Sequence, residues 1–473
     1  MNTQANCDFG MIGLGVMGRN FLLNVADHDF EVIGYDLDPE KVEALNTEKS
    51  VSHVQTTNEL TAFIQSLKSP RRIMLLVPAG KVVDSVIDSL LPHLSAGDII
   101  IDGGNSHYDD TTHRMKALEN ANIHFLGMGV SGGEKGARFG PSLMPGGKLE
   151  AYEPVRVMLE AAAAKVEGEP CVAFLGKGAA GHYVKMVHNG IEYGIMQLIA
   201  EIYDVLRRRG GLTEEQLFTT FSNWNEGALQ SFLVEITSDI FRQADDQREG
   251  EMLINNILDS AKQKGTGKWT SQSAMDLGVA IPTIDAAVTM RYLSSLREER
   301  IKADKLLKGP ELKKTEHQEE LIAMAHDALH FAMLVTYAQG FAMLKKASDE
   351  MGFDLNLVEV SKIWRGGCII RARMLEDFMQ AFAKDDALLN LMVSPAIAEI
   401  LNRCEGKTRS LLVQCLQQGI PTAALSSCLH YFDSYRTSRL PSNLVQAQRD
   451  YFGAHTYERL DKTGAFHTLW GES

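Results

Sequence analysis

The chain has 473 residues, 45% of them hydrophobic and 23% charged, with a formal net charge of −14 at pH 7. That length exceeds what a single core usually holds, so two or three domains are expected, and the acidic balance argues against nucleic acid or an anionic membrane as partner. No run approaches the 18 or so apolar residues of a membrane span, and the N-terminus MNTQANCDFG lacks the basic start and apolar stretch of a signal peptide, so a cytoplasmic protein is expected.

The first motif is CDFGMIGLGVMGRN, which reads as a short apolar strand, a tight turn and a helix start. Gly13, Gly15 and Gly18 form the G-x-G-x-x-G pattern, with Leu14, Val16 and Met17 between them. Such glycines permit the turn and let a pyrophosphate approach the helix N-terminus, where free N–H groups favour anions. A second strand, EVIGYDL at 31–37, ends in Asp36, about 20 residues beyond the turn. A carboxylate there can accept hydrogen bonds from a ribose 2′-OH and would repel a 2′-phosphate. Leu37 and Asp38 follow, with no arginine before Lys41, so NAD is favoured and NADP remains possible.

Further strand-like runs stand at 71–77, 98–104, 123–130 and 171–176, separated by polar or amphipathic segments. The alternation implies a mainly parallel sheet with helices on both faces. Ligands bind beyond the carboxyl ends of such strands, where Val77, Pro78 and Ala79, then Asn105, then Ser131, Gly132 and Gly133 should emerge. The stretch GGEKGARFGPSLMPGG is too glycine-rich for a helix or a central strand. It reads as a loop facing an anion with its N–H groups, or as a plain surface loop.

After residue 178 the texture becomes helical, giving three expected parts: a Rossmann-like dinucleotide-binding domain over 1–178, an all-helical domain over 179–439 and a tail over 440–473. In GHYVKMVHNGIEYG at 181–194, Lys185, His188, Asn189, Glu192 and Tyr193 fall at i, i+3, i+4, i+7 and i+8 of a helix and share one face. Val184, Val187, Ile191, Ile195 and Leu198 form an adjacent apolar stripe. Lys185 and Glu192 stand roughly 10 Å apart along the axis, room for a small substrate; the alternative is a solvated helix face. Gly190 and Gly194 each cost about 1 kcal/mol against alanine in a helix, which implies close approach of another helix or a ligand.

The segment AKQKGTGKWTS at 261–271 can present Lys264 and the Thr266 hydroxyl to a phosphate, or simply connect helices. Arg291, in VTMRYL, has apolar company and is expected to point inward, whereas the charge run 294–305 reads as a solvated face. The tail segment LPSNLVQAQRDYFGAHTYERLD carries Arg449 and His455 beside aromatics and must dock on its own chain or on a partner subunit. Six scattered cysteines without a Cys-x-x-Cys pair suit reduced thiols and no structural metal.

Taken together, GLGVMGRN, IIIDGGNS, GVSGGEKGA, GPSLMPGG, GHYVKMVHNGIEYG, KGTGKWTSQSA, WRGGCIIRA and NLVQAQRDYFGAHTYERLD, in that order, resemble the decarboxylating 6-phosphogluconate dehydrogenases over nearly the whole chain. The resemblance implies oxidation and decarboxylation of 6-phosphogluconate to ribulose 5-phosphate, and a homodimer whose C-terminal tail enters the neighbouring active site. By motif, Lys185 matches the family's catalytic lysine and Glu192 its catalytic glutamate. The same matching sets Asn105, Ser131, Gly132 and Gly133 at the carboxylate end of the sugar acid, with His188 and Asn189 near the reacting hydroxyls. Tyr193, Lys264, Thr266, Arg291, Arg449 and His455 would gather around the phosphate. A lysine with its ordinary pKa of about 10.4 is a poor base at neutral pH, so burial or a nearby cation should lower it.

Two departures bear on the cofactor. NADP-using members typically carry Asn-Arg-Ser or Asn-Arg-Thr after the second strand, where this chain has Asp36, Leu37 and Asp38, and a lysine common in the following loop is Pro78 here. The competing readings are another β-hydroxyacid dehydrogenase, whose chains are usually shorter and lack KGTGKWT and RDYFGAH, and a non-catalytic nucleotide-binding regulator, which would be expected to lose Lys185 or Glu192.

Overall fold

The computed structural model describes residues 6–48 and 53–471. Seven strands form one sheet: β1 (Phe9–Ile12), β2 (Val32–Tyr35), β3 (Val54–Thr57), β4 (Arg72–Leu75), β5 (Ile99–Asp102), β6 (His124–Ser131) and β7 (Ser142–Gly147). Their order is β3-β2-β1-β4-β5-β6-β7; the first six are parallel and β7 runs antiparallel to β6. Side chains alternate between the two faces. Phe9, Met11, Met74, Ile99 and Ile101 enter one core, and Ile12, Ile33, Ile73, Leu75 and Ile100 enter another. Burial on both faces is why these strands are continuous apolar runs. The strand order reverses direction between β1 and β4, which opens a crevice at their carboxyl ends.

Two sequence expectations need correction here. The glycine-rich stretch is not a loop: Gly133–Phe139 is a short helix and Ser142–Gly147 is the edge strand β7. Its glycines mark close backbone approach, for a Cβ on Gly146 would lie 2.3 Å from the Gly181 nitrogen. The run 171–176 is not a strand either. It lies beside β7 with one bridge, Leu143 to Val172, and a few further backbone bonds such as Leu175 N to Pro145 O that do not build a strand. The strand β3, with half-buried polar residues, was not anticipated.

From residue 180 onward the described residues are helical as far as Gly453, apart from connecting turns. The central helix, Ala180–Arg208, is buried over most of its length and packs on β6, β7 and the helix Gln318–Met351. Its approach to the sheet depends on missing side chains. A Cβ on Gly181 would fall 2.2 Å from both the Gly127 and Met144 carbonyl oxygens, and one on Gly129 would fall 2.4 Å from Lys185 Cβ. Gly190 and Gly194 face other helices, meeting Thr270 and Thr336 at 2.6 and 2.7 Å, which decides between helix and ligand. Farther along, both carboxylate oxygens of buried Glu201 accept N–H groups at the start of the helix Ala423–Tyr435, from Ala424 and Leu425 at 2.9 Å each.

Helix Gln318–Met351 is long and apolar enough to cross a membrane, which the sequence reading had not registered, yet most of its apolar stretch is buried within this fold. The tail forms the helix Ser442–Gly453 and a two-stranded pair, Tyr457–Glu458 with Ala465–Phe466. Its centre is the fully buried Asp450, whose carboxylate accepts from Thr456 N, Thr468 N, His467 and Trp470 Nε1. Burial alone would raise its pKa, but the bonds from His467, Thr468 and Trp470 outweigh it and hold the group at about 2.

The seam between helix and sheet gives a direct test. Gly181→Ala forces a methyl group against two backbone carbonyls that no rotamer can move, so stability should fall by about 3 kcal/mol, read from urea unfolding. An unchanged urea midpoint would mean that the helix is not pinned there.

Candidate active site

The first half of the site is the crevice above β1, β2 and β4. Gly13 has φ +96° and a Cβ on Gly18 would overlap the Gly13 carbonyl, whereas nothing lies within 4 Å of one on Gly15. The three glycines thus serve turn, packing and ligand approach respectively. The helix Val16–Ala26, with Met17 in its first turn, starts at Gly15 without a side-chain cap, leaving its first N–H groups for an anion. The crevice has a volume of about 590 Å³ and is lined by Gly13, Gly15, Asp36, Leu37, Val77 and Pro78 among others. Ala79 is exposed beside it. Asp36 is fixed by the N–H groups of Leu14 at 2.8 Å and Asp38 at 3.0 Å. Leu37 is 81% exposed, and the Lys41 ammonium is 3.5 Å from Asp36 and 3.8 Å from Asp38.

The second half lies where the central helix passes the carboxyl ends of β5 and β6. Asn105, Lys185, Asn189 and Thr266 line one small cleft together with Ser106, His182, Met186 and Trp269. Ser131 ends β6, and its Oγ is 3.2 Å from His188 Nε2. On the other side of the ring, His188 Nδ1 lies 3.4 Å from Lys185 Nζ, 3.1 Å from Asn189 Oδ1 and 3.9 Å from Glu192. Gly132 and Gly133 have φ +127° and +62°, and the turn is braced from behind. Ser142 N donates to the Gly367 carbonyl at 2.8 Å, and a Cβ on Gly132 would meet that same oxygen at 2.6 Å.

Burial governs the charges. It lowers the Lys185 pKa, with the Glu192 carboxylate opposing, and it raises that of Glu192, with Lys185 and Arg291 opposing. Burial, reinforced by Lys185, drives His188 well below its ordinary value, so the ring is neutral. Of the two causes left open for the lysine, burial is the one that acts. The result is an amine that can accept a proton and a carboxyl that can donate one, on one helix face.

Next to Glu192 in the helix, Tyr193 is held between Gly267, whose Cβ would meet its ring at 2.4 Å, and the Arg291 guanidinium, 3.4 Å above the ring centroid. Arg291 also donates to Lys262 O at 3.2 Å, which ties it to the loop bearing exposed Lys264. The segment read as a loop up to residue 271 is one only to Gly265; Thr266 opens the helix Thr266–Asp276. Arg449 and His455 are not brought to this cleft. Both are exposed on the tail, where Arg449 bonds Gln446 at 3.1 Å. Sequence reading missed His182, Ser106 and Trp269. The signal for His182 was its place three residues before Lys185 on the same face. Among the described residues no group of three His, Cys, Asp or Glu side chains is arranged to hold a metal ion.

Comparison with known proteins follows the same division. Residues 8–176 match the NAD binding domain of 6-phosphogluconate dehydrogenase and residues 181–470 match the 6-phosphogluconate dehydrogenase C-terminal domain. The chain is 51% identical over 462 residues to the NADP(+)-dependent, decarboxylating 6-phosphogluconate dehydrogenase of Bacillus subtilis (strain 168), covering 98% of each chain. It is 49% identical over 469 residues to the decarboxylating 6-phosphogluconate dehydrogenase of Lactococcus lactis subsp. lactis (strain IL1403), covering 99% of each. A solved structure of Plasmodium falciparum 6-phosphogluconate dehydrogenase, described in its apo form and with NADP+ and 6-phosphogluconate, superposes with a TM-score of 0.94 at 41% identity, over 98% of this chain and 100% of that one.

Proposed function

The chain belongs to the 6-phosphogluconate dehydrogenase family, and from that premise we propose how its own residues oxidise and decarboxylate 6-phosphogluconate to ribulose 5-phosphate and CO2. NAD(P), held in the crevice lined by Gly13, Gly15, Asp36, Val77 and Pro78, would supply the acceptor for the C3 hydride. Lys185, neutral because it is buried, takes the proton of the C3 hydroxyl. The ammonium so formed stabilises the charge on the C3 oxygen while C1 leaves as CO2, the role that a metal ion fills elsewhere. Glu192, kept protonated by burial, delivers a proton to the carbon that lost its carboxylate. Neutral His188, Asn189, Asn105 and the Ser131-Gly132-Gly133 turn orient the sugar acid, and Tyr193, Lys264, Thr266 and Arg291 hold its phosphate. The observation that carries this reading is the pairing of a buried amine with a partly buried carboxyl, the Glu192 side chain being 22% exposed, on one face of the central helix.

Two finer proposals go further. NAD is the preferred acceptor, because the fixed Asp36 carboxylate and the exposed Leu37 offer a 2′-phosphate repulsion and no donor, and Lys41 is already engaged by Asp36 and Asp38. The Bacillus subtilis relative is named NADP-dependent, so this preference rests on the crevice of this chain. The second is a homodimer in which the tail lends Arg449 and His455 to the neighbouring site. Leu444, Val445, Tyr451 and Phe452, all more than half exposed in the single chain, supply an apolar surface for docking. Six buried, unpaired cysteines suit a reducing compartment, and we place the enzyme in the cytoplasm.

Lys185→Met should lower kcat for 6-phosphogluconate by about 10³-fold; retained turnover would remove the lysine from the chemistry. The active form carries one proton between the two groups, with Lys185 neutral and Glu192 protonated, so kcat/KM against pH should be a bell. Its limbs should lie inside the ordinary values of about 4.3 and 10.4, and Glu192→Gln should flatten one of them.

Steady-state assays with both dinucleotides should give kcat/KM for NAD on the order of tenfold above that for NADP, about 1.4 kcal/mol. An equal or higher value for NADP would refute the cofactor proposal.

Mixing inactive Lys185→Met chains with inactive Arg449→Ala chains should restore activity, since the heterodimer contains one intact site. No recovery after verified subunit exchange would refute the shared site.

A further inference from the structure

One buried charge lies outside the machinery described so far. Arg114, on the helix Tyr108–Glu119, has a side chain only 5% exposed, and its three guanidinium nitrogens reach three different segments. Nε donates to Asp84 at 2.7 Å, in the first turn of the helix Lys81–Leu90. Nη2 donates to the Gly80 carbonyl at 3.0 Å, at the end of the Val77-Pro78-Ala79 loop that follows β4. Nη1 donates to Asp102 at 3.3 Å and to Ser106 Oγ at 3.1 Å, on either side of Asn105 in the loop that follows β5. Ser106 Oγ and Gly104 N donate to the same Asp102 carboxylate at 2.6 and 3.0 Å.

The connection continues to the central helix. His182 is buried and neutral, and its Nε2–H donates to the Asp102 carbonyl at 3.0 Å. Its Nδ1 accepts from the hydroxyl of Thr111 at 2.6 Å, and Thr111 sits three residues before Arg114 on the same helix. A planar guanidinium is the side chain suited to hold several acceptors at fixed angles; a lysine ammonium can satisfy one loop or the other.

We infer that Arg114 is a positioning residue that clamps the loops after β4 and β5 to each other and, through Asp102 and His182, to the helix bearing Lys185. It touches neither substrate nor dinucleotide and acts through Gly80, Asp102 and Ser106. The inference rests on the reading above that the loop after β4 lines the dinucleotide crevice, while the loop after β5 carries Asn105 into the adjoining cleft. If it holds, loosening the clamp spoils dinucleotide affinity and hydride geometry while leaving the sugar acid's phosphate subsite untouched.

The test uses the full-length protein with Arg114→Lys, which keeps the positive charge beside Asp102. Calorimetric Kd values for NAD and NADP should rise about tenfold, and the Kd for 6-phosphogluconate alone, which keeps its phosphate contacts and loses only part of the hold of Asn105, should rise no more than about threefold. The deuterium isotope effect on kcat with C3-deuterated 6-phosphogluconate should increase as hydride transfer becomes slower than the later steps. A general loss of structure would weaken both ligands together, and a purely structural arginine would lower the melting temperature with dinucleotide affinity unchanged. Either result overturns the clamp. Ser106→Ala, which removes one hydroxyl and no charge, keeps the test decisive should Arg114→Lys fail to fold: the dinucleotide Kd should rise about threefold, and an unchanged value overturns the proposal. Because dinucleotide affinity is measured without turnover, a wild-type protein that binds NAD(P) but does not oxidise 6-phosphogluconate would count against the proposed function and leave the clamp to be judged on its own readout.

Discussion

The site depends on the central helix lying almost backbone to backbone against the last two strands of the sheet. Gly127 and Gly129 on β6, Gly146 on β7 and Gly181 in the helix together remove the side chains that would hold the two apart. The consequence is electrostatic as much as steric. Lys185 leaves the helix directly over Gly129, so its stem is packed on the sheet and its amine is out of bulk water. An isolated ammonium in such a place would cost several kcal/mol, and burial accordingly lowers the Lys185 pKa, with the Glu192 carboxylate opposing. A contact that looks like simple packing thereby biases toward the free amine a side chain that is ordinarily the protonated ammonium at neutral pH.

The rest of the fold keeps that contact in register with the dinucleotide crevice. A helix fixes its residues at about 1.5 Å per position, so once Lys185 is pinned over Gly129, the placements of His188, Asn189, Glu192 and Tyr193 follow. The far end of the rod is anchored by Glu201, which caps the helix Ala423–Tyr435 across the helical domain. The near end is joined through His182 to Asp102 at the tip of β5. The sheet supplies loops and the helix supplies the titratable side chains, and both are attached to the same short stretch of backbone.

Much of this was legible in the sequence because the responsible signals are local. The G-x-G-x-x-G turn with the acidic residue after the second strand, and the helical spacing from Lys185 to Tyr193, are each carried by a short stretch of chain, and each occurs where it was expected. The β6–β7 pair was not legible: its glycines match loop chemistry when read alone, and only the helix lying over Gly146 and the β6 backbone lying against Gly147 explain why a strand carries them. The run at 171–176 has the composition of a strand and lies along β7, but it completes only the single bridge of Leu143 with Val172. The bracing of Gly132 by Gly367 and the bonds from Arg114 to Gly80 and Asp102 join residues distant in sequence, with no periodic pattern to announce them. Arg449 and His455 illustrate a different boundary, since a single chain contains the tail but not the surface on which it would dock.

The central claim is that the seam lowers the pKa of Lys185. It can be read without turnover by ¹³C NMR of protein labelled at lysine Cε, with the resonance assigned by its absence in Lys185→Arg. The account predicts that this one lysine titrates well below the remaining lysines and is largely neutral at a pH where they are fully charged. Titration of Lys185 together with them, near the ordinary value of about 10.4, would contradict it.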